Sequence, residues 1–590
     1  MFYHLSFERK LSTFKNSLDQ HGLTKIIPTV LTIVLLTLPV ILSHDIVPVS
    51  ASTNTATEQL VTDYSAAYIG QVVVSSLPAP SVSDVGALSL PDLSLSEQAQ
   101  TGATDPVAVV SPGSQQFIHI MKDFAGTPGT NPNPCRCTPP DMGLAASSKF
   151  IVQMVNLAGT IWKNNGVRVT TFSLSDFWFL PVRGGPLGIG MSDPQVLYDA
   201  AADRFYASII DTFDVNRVNF AVTATNDPTG AWFIYRVIAN CNPVTPYSMC
   251  SLASSNTLPD QPYIGYSRDK FMIAANDFDE TTGLFIGAQY WILNKAEMLS
   301  GCTVPTPCPG GRNIDALTNV VTTTNNHWAI RPAQHLSTTD TAYMAENCLH
   351  LIDGAAITNN CTPPPPNVPP PLTNGGINVF TITGTPPDPT TVTVTTLTVA
   401  KMSFPGRADQ PGNPTSLGTN DALRMLSIVW RNNVLWTASH EGCTPPGDSA
   451  SRTCARLDQI QTTVSPSCPA PPCALQDFDL GFLGDYVFYP ALSTDSSNNL
   501  VLLYGHSSLS LFPTLEVTGQ LATMLPTTLA APVLLIAGTA ADYTGRWGDY
   551  FWAATDPATP NTFWVSGEFR TVSLFQGWST QVGEISFNAN

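Results

Sequence analysis

Four aspartates share one setting in this sequence. Pro140-Asp141-Met142-Gly143, Ser192-Asp193-Pro194-Gln195, Pro259-Asp260-Gln261-Pro262 and Gly548-Asp549-Tyr550 each place a carboxylate just ahead of a short apolar run. Aligned on the turn that follows, Asp141, Asp193, Asp260 and Asp549 coincide, with Gln334 as an amide counterpart. Carboxylate oxygens that converge on one point suit a hard cation, which makes this arc the candidate Ca²⁺ site. The competing expectation is that each aspartate caps its own loop by accepting backbone N–H bonds. Asp421 and Asp485 lie in looser versions of the pattern and need not point the same way.

Arg331, Arg424 and Arg546 lie near similar starts. Other chemistry fails on spacing. Gly447-Asp448-Ser449-Ala450 lacks the glycines of a serine-protease nucleophile loop, and Gly505-His506-Ser507-Ser508-Leu509 lacks the last glycine of a nucleophile elbow. No H-E-x-x-H, P-loop or dinucleotide fingerprint occurs.

The elements that must position these residues are short strands. Val196-Leu197-Tyr198 and Phe205 to Ile210 are apolar runs separated by an Ala-Asp turn, the pattern of a buried hairpin. Val218 to Ala224 and Trp232 to Ile238 complete a four-strand unit. Related units begin near Pro140, Pro259, Pro332, Asn420, Gly484 and Gly548, seven in all, most of them roughly 50–75 residues apart. Inner runs are apolar on both faces and later runs more polar, as in four-stranded sheets stacked around an axis. The expected fold is therefore all-β: a single β-propeller of seven four-stranded blades over 116–590, closed by pairing Phe117–Met121 with Gln581–Phe587 to protect the sheet edges. A helical pattern is nearly absent, with a turn or two expected at Asn294–Leu299.

Bulk composition agrees. Charged residues are 12% of the chain, about half the usual share of roughly 25%. Hydrophobic residues are 43%, enough for a large core. The formal net charge is −18, and an acidic surface excludes nucleic acid as a partner. The N-terminus carries Arg9, Lys10, Lys15 and Lys25, then an uncharged run from Ile26 to Leu42, then Val49-Ser50-Ala51. That reads as an export signal over 1–51, with a retained membrane anchor through 26–42 as the alternative. Residues 52–115 are rich in Ser, Thr, Ala and Pro and read as a flexible tether. The 12 cysteines fall in close couples, Cys135/Cys137, Cys241/Cys250, Cys302/Cys308, Cys348/Cys361, Cys443/Cys454 and Cys468/Cys473. In an exported chain these read as loop-stapling disulfides. The protein is expected to be secreted or anchored on the outer side of the cytoplasmic membrane.

The run Thr225-Asn226-Asp227-Pro228-Thr229-Gly230-Ala231-Trp232 resembles the Asp-box hairpin of sialidase-type propellers, Ser-x-Asp-x-Gly-x-x-Trp. It has one more residue between Asp and Gly and one fewer before Trp. With Asp193–Asp199 and Arg546–Tyr550 it is similar to secreted sialidase-like propeller proteins. That resemblance implies a propeller fold and, for an enzyme, three arginines gripping a substrate carboxylate bidentately, a Tyr–Glu nucleophile pair and an Asp acid; Arg331, Arg424 and Arg546 are then the candidates for the arginines, Tyr550 or Tyr489 for the hydroxyl, and Glu346, Glu441 or Glu568 for the Glu by elimination. The family's N-terminal Arg-Ile-Pro signature is missing, and no Glu matches. The leading expectation is accordingly a non-catalytic extracellular propeller that binds a protein or glycan partner through its loop face. The alternatives are a sialidase-like glycoside hydrolase and a structural or adhesive cell-surface protein.

Overall fold

A computed structural model describes residues 54–587 except 59, 61–63, 82–106, 111–116, 130–136, 184–190, 212–216, 239–256, 280–284, 302–316, 321–326, 353–355, 360–374, 413–416, 420–422 and 574–576. The chain divides into two compact units, Met1–Val49 and Ser50–Asn590. The export segment and Asp421 lie outside the described residues. Among the described residues no helix is long and apolar enough to cross a membrane.

The second unit is an all-β propeller. The unit read most clearly from the sequence forms as expected: Met191–Asp199, Arg204–Asp211, Arg217–Thr223 and Ala231–Ile238 pair in order, all antiparallel. Closure also forms as expected. His119–Ala125 pairs antiparallel with Trp578–Ser586, from Ala125 opposite Gln581 to His119 opposite Ser586.

The count of separate blades differs from the expected seven. Five sheets stand as discrete blades, each built on one meander. Two further meanders, Thr257–Asn294 and Met425–Leu480, are fused into one eight-stranded sheet. The link is the two-residue strand Gln334–His335, which pairs in parallel with Tyr266 on one side and with Val429 and Trp430 on the other. Its cause is local. Pro332 has no N–H for a ladder, so the strand Arg331–Pro332 stops after two residues and the chain steps sideways. Gly265 permits the close approach, because a Cβ there would lie 2.6 Å from the Ala333 carbonyl oxygen. Gln334 is thus a bridging residue and not a counterpart of the aspartates.

Residues 52–115 are not simply a tether. Tyr64–Val73 adds to the outer edge of Ala231–Ile238, and Asn54–Thr57 adds to Thr391–Val399. Both additions cover strand edges that would otherwise be open. A helix that the sequence pattern did not suggest, Leu174–Arg183, follows the strand Arg168–Ser173. Ser173 Oγ accepts the Asp176 N–H at its start, and Phe177 and Trp178 are fully buried. The short helix expected near Asn294 forms at Lys295–Leu299, with Asn294 Oδ1 accepting from the Ala296 and Glu297 N–H groups.

Cys443–Cys454 and Cys468–Cys473 are disulfides between sequence neighbours. Cys137 and Cys348 are also disulfide-bonded, and no free cysteine occurs among the described residues. Cys135, Cys361 and the couples Cys241/Cys250 and Cys302/Cys308 lie outside them.

Candidate active site at one propeller mouth

One backbone feature marks the start of each innermost strand. Asp141, Asp193, Gln261, Ala329, Leu423, Tyr489 and Asp549 all have positive φ, between 48° and 67°. A non-glycine residue rarely takes this conformation, so its recurrence at equivalent places is a built feature. Pro194, Pro262 and Pro490 follow three of these residues, and the pairing register of each strand shifts close by. A proline that cannot donate to the ladder is tolerated at such a bulge. The alignment of Asp141, Asp193 and Asp549 therefore holds, whereas Gln261 takes the corresponding place in its unit and Asp260 precedes it. Leu423 and Tyr489, not Asp421 or Asp485, are the counterparts in the later units.

Four of these seven positions, Asp193, Ala329, Leu423 and Tyr489, are latched by a polar residue of the neighbouring unit. Asn156 Oδ1 accepts the Asp193 N–H at 3.0 Å, and Asn276 Oδ1 accepts that of Ala329 at 2.7 Å. Asn347 Nδ2 donates to the Leu423 carbonyl at 2.6 Å, and His440 Nε2 accepts the Tyr489 N–H. The latches fix the bulges relative to one another, and so fix the side chains that the bulges project.

Those side chains form one connected group. Tyr550 donates its hydroxyl proton to Asp193 Oδ2 at 2.6 Å, and Ser192 Oγ donates to Asp193 Oδ1 at 2.8 Å. Asn156 Nδ2 donates to Asp141 Oδ2 at 2.5 Å, while Asp141 Oδ1 is buried without a partner among the described residues. Arg424 stacks on Tyr550, with Cζ 5.6 Å from the ring centroid, and its Nη2 is 4.0 Å from Asp549 Oδ1. Arg546 Nη2 donates to Asp549 Oδ2 at 3.4 Å. Arg331 stacks on Tyr263 at 4.2 Å, and the Tyr263 and Tyr550 rings meet edge to face at 5.8 Å. Arg331, Arg424 and Arg546, named from the sequence only by their place near strand starts, thus share this mouth with all four aspartates.

Burial and like charge set the protonation here. The Asp141 carboxyl is pushed well above its ordinary range by burial, then by Asp549 and Asp193. Asp260 is raised by burial and by Asp193, against the pull of Arg424. Burial lowers the Arg331 pKa, with Tyr263 and Tyr550 opposing it. Burial and neighbouring carboxyls therefore favour the protonated forms of Asp141 and Asp260, close to Asp549, which faces the Arg424 and Arg546 guanidinium groups. Among the described residues no three His, Cys, Asp or Glu side chains are arranged to hold a metal ion. The counter-charge at hand comes from arginine.

The remaining candidates serve the frame. Tyr489 donates its hydroxyl proton to the Gly418 carbonyl, 3.2 Å away. Glu346 accepts the Trp328 N–H and lies 2.5 Å from His327 Nδ1. Glu441 is 2.9 Å from Arg456 Nη1 in a fully buried ion cluster. Glu568 Oε2 accepts the Gly548 N–H at 2.9 Å, next to Asp549, so it holds the bulge from behind. Asp448 pairs with Arg452, and His506 sits between Glu516 and Asp485. In the Asp-box-like turn, Asp227 Oδ1 accepts the Thr229 N–H and Trp232 Nε1 donates to the Pro228 carbonyl. The sequence reading missed Asn156 and Tyr263. An Asn at the end of the second strand of one unit, with a counterpart within the second strand of another at Asn276, was the available signal.

No family model and no curated sequence matches the chain. Solved structures similar to it include phage phi92 endosialidase, at 6% identity and a TM-score of 0.35, covering 67% of each chain. An ulvan lyase aligns over 82% of this chain and 94% of its own, at 9% identity and a TM-score of 0.35. The alpha-L-arabinanase of Penicillium chrysogenum covers 82% and 99%, at 8% identity and a TM-score of 0.31. Similarity at this level carries no functional argument, and the reading of the site rests on its own geometry.

Proposed function

We propose that this is an extracellular propeller that acts on glycans, with a sialidase-like glycoside hydrolase centre at the mouth that carries Asp141, Asp193, Asp260 and Asp549. The observation that supports it most is the hydrogen-bonded Tyr550–Asp193 pair beside two carboxyls, Asp141 and Asp260, whose pKa values burial raises. Glycoside cleavage needs a proton donor on one side of the bond and a nucleophile or base on the other, with their environments pushed apart. In this reading Tyr550 is the nucleophile: burial and Asp193 raise its pKa, so its hydroxyl proton must pass to Asp193 as it attacks, and Asp193 stands where sialidases use Glu. Asp141 or Asp260 gives the proton to the leaving oxygen. Arg331, Arg424 and Arg546 hold an anionic group of the sugar. The disulfides Cys443–Cys454 and Cys468–Cys473 support an extracellular location.

The test is release of reducing ends or aryl alcohol from sialosides, uronate-containing polysaccharides and neutral aryl glycosides. Tyr550→Phe and Asp193→Asn should each lower the rate at least a hundredfold without changing the fold. Absence of turnover on every substrate class, with glycan capture retained, would favour the second reading, a non-catalytic propeller that binds a protein or glycan partner. Burial favours that second reading, since Asp141, Asp193, Arg424 and Tyr550 are each at most 5% exposed. Calcium held by the four aspartates is a competing source of counter-charge. It predicts a calcium-dependent rise in Tm that is lost when two of the aspartates are replaced by Asn.

A further inference from the structure

The opposite ends of the innermost strands surround a separate cavity of about 290 Å³. It lies where those strands turn into their neighbours, lined among others by Tyr198, Lys295, Ser337, Arg431, Asp495 and Ala558. Its charged groups are unequally committed. Lys295 Nζ is 2.7 Å from Asp199 Oδ2, a buried pair. Arg268 pairs with Asp340. Asp199 Oδ1 also accepts the Ala201 and Ala202 N–H groups. Asp495 accepts the Ser497 and Asn499 N–H groups and Asn499 Nδ2 at 2.8–2.9 Å. Asp556 accepts the Ala558 and Thr559 N–H groups and Trp564 Nε1 at 2.7–3.0 Å. Each of these three carboxylates is thus already engaged, Asp495 and Asp556 by their own hairpins and Asp199 by its turn and Lys295.

Arg431 is different. It ends the strand Met425–Arg431 at a tight turn whose two central residues, Asn432 and Asn433, both have positive φ. Its side chain is half-buried, and Nε is sealed from solvent without a hydrogen-bond partner among the described residues. Burial works against its charge, and only Tyr266 and Asp495 favour it. The sealed Nε is out of a ligand's reach, but Nη1 and Nη2 make no hydrogen bond among the described residues, and a planar, two-oxygen anion meeting them would offset the cost of burying the charge. A cavity of this size, at the small end of ligand pockets, admits something like one sugar ring.

We propose that this second mouth binds a small carboxylate-bearing ligand through Arg431, independently of the site that contains Tyr550. A bidentate carboxylate would meet the Arg431 fork. The apolar stems of Tyr198 and Pro560 and the hydroxyl of Ser337 would flank the rest of the ligand.

The test uses two probes of matched size, glucuronate and glucose, which differ in having a carboxylate or a hydroxymethyl group at the same carbon. Titration calorimetry and thermal shift are read on the exported chain. Glucuronate should bind and raise Tm, and glucose at the same concentration should do neither. Arg431→Gln should weaken glucuronate binding at least tenfold while leaving circular dichroism unchanged. Ala558→Trp, which fills the cavity and leaves Arg431 in place, should weaken it similarly. Asp193→Asn, at the other mouth, should leave it unaltered, so failure of the hydrolase reading does not touch this result. Equal responses to glucuronate and glucose, full binding by Arg431→Gln, or loss of binding in Asp193→Asn alone would overturn the proposal. Inorganic phosphate binding as tightly as glucuronate would also overturn it, because the fork then reads charge and not the carboxylate.

Discussion

Replacing Glu568 by Gln should change how the stability of this protein depends on pH. Glu568 is fully buried. Oε2 accepts the Gly548 N–H, and Oε1 is 3.7 Å from Arg570 Nε. Burial is the largest influence and raises its pKa from 4.5 to about 8, with Asp542 and Asp549 adding to it and Arg570 and the Gly548 N–H opposing it. The folded state therefore keeps the proton that the unfolded chain gives up above its ordinary pKa. Stability from this group is fully present below about pH 4.5, falls as pH rises, and levels off above about 8. At 1.36 kcal/mol per unit the whole span amounts to about 5 kcal/mol. Glutamine accepts the same Gly548 N–H and cannot ionise. Glu568→Gln should match the wild type within about 1 kcal/mol at pH 5 and exceed it by several kcal/mol at pH 9. Equilibrium urea unfolding at half-unit steps from pH 4.5 to 9 measures the difference. Parallel stability curves for the two proteins would refute the reasoning, since they would mean that Glu568 is ionised in the folded state throughout.

The latches and the buried ion cluster give further expectations. Asn156→Ala removes hydrogen bonds to the Pro139 carbonyl, Asp141 Oδ2 and the Asp193 N–H, and should cost about 3 kcal/mol in urea unfolding. Arg456 sits fully buried among Glu441, Asp458 and Asp477, so Arg456→Met should cost about 3–5 kcal/mol, because the carboxylates are left without their partner. Reduction of Cys443–Cys454, which closes a separation of 11, should cost about 2.8 kcal/mol, against about 2.1 for Cys468–Cys473 with a separation of 5. Single Cys→Ser pairs compared by urea unfolding separate the two. Tyr550→Phe should remove the bond to Asp193 and shift Tm by only a few degrees, while any glycosidase activity falls at least a hundredfold.

The sequence by itself pointed to the repeating meander, to closure of the ring by a strand near Phe117–Met121, which forms a few residues later at His119–Ala125, and to pairing of neighbouring cysteines, as two couples show. These follow from local information: apolar runs bounded by turn residues, and cysteines only a few residues apart. It also pointed to Asp141, Asp193, Asp549 and the three arginines, because their places before inner strands repeat along the chain. It misplaced Asp260 and Gln334. A one-residue shift at a bulge leaves composition unchanged, and only the backbone shows that Gln261 and Ala329 take the left-handed position. The fusion of two meanders through Gln334–His335 was equally hidden, since a two-residue parallel bridge is held by partners 68 residues upstream and 95 downstream. Nor did the Ser- and Thr-rich stretch announce Tyr64–Val73 as a strand; its order comes from the open edge of Ala231–Ile238, which no local pattern encodes. Tertiary structure alone decided the electrostatics of the mouth. Asp141 and Asp260 are ordinary carboxyls in the sequence, and burial beside Asp193 is what raises their pKa values.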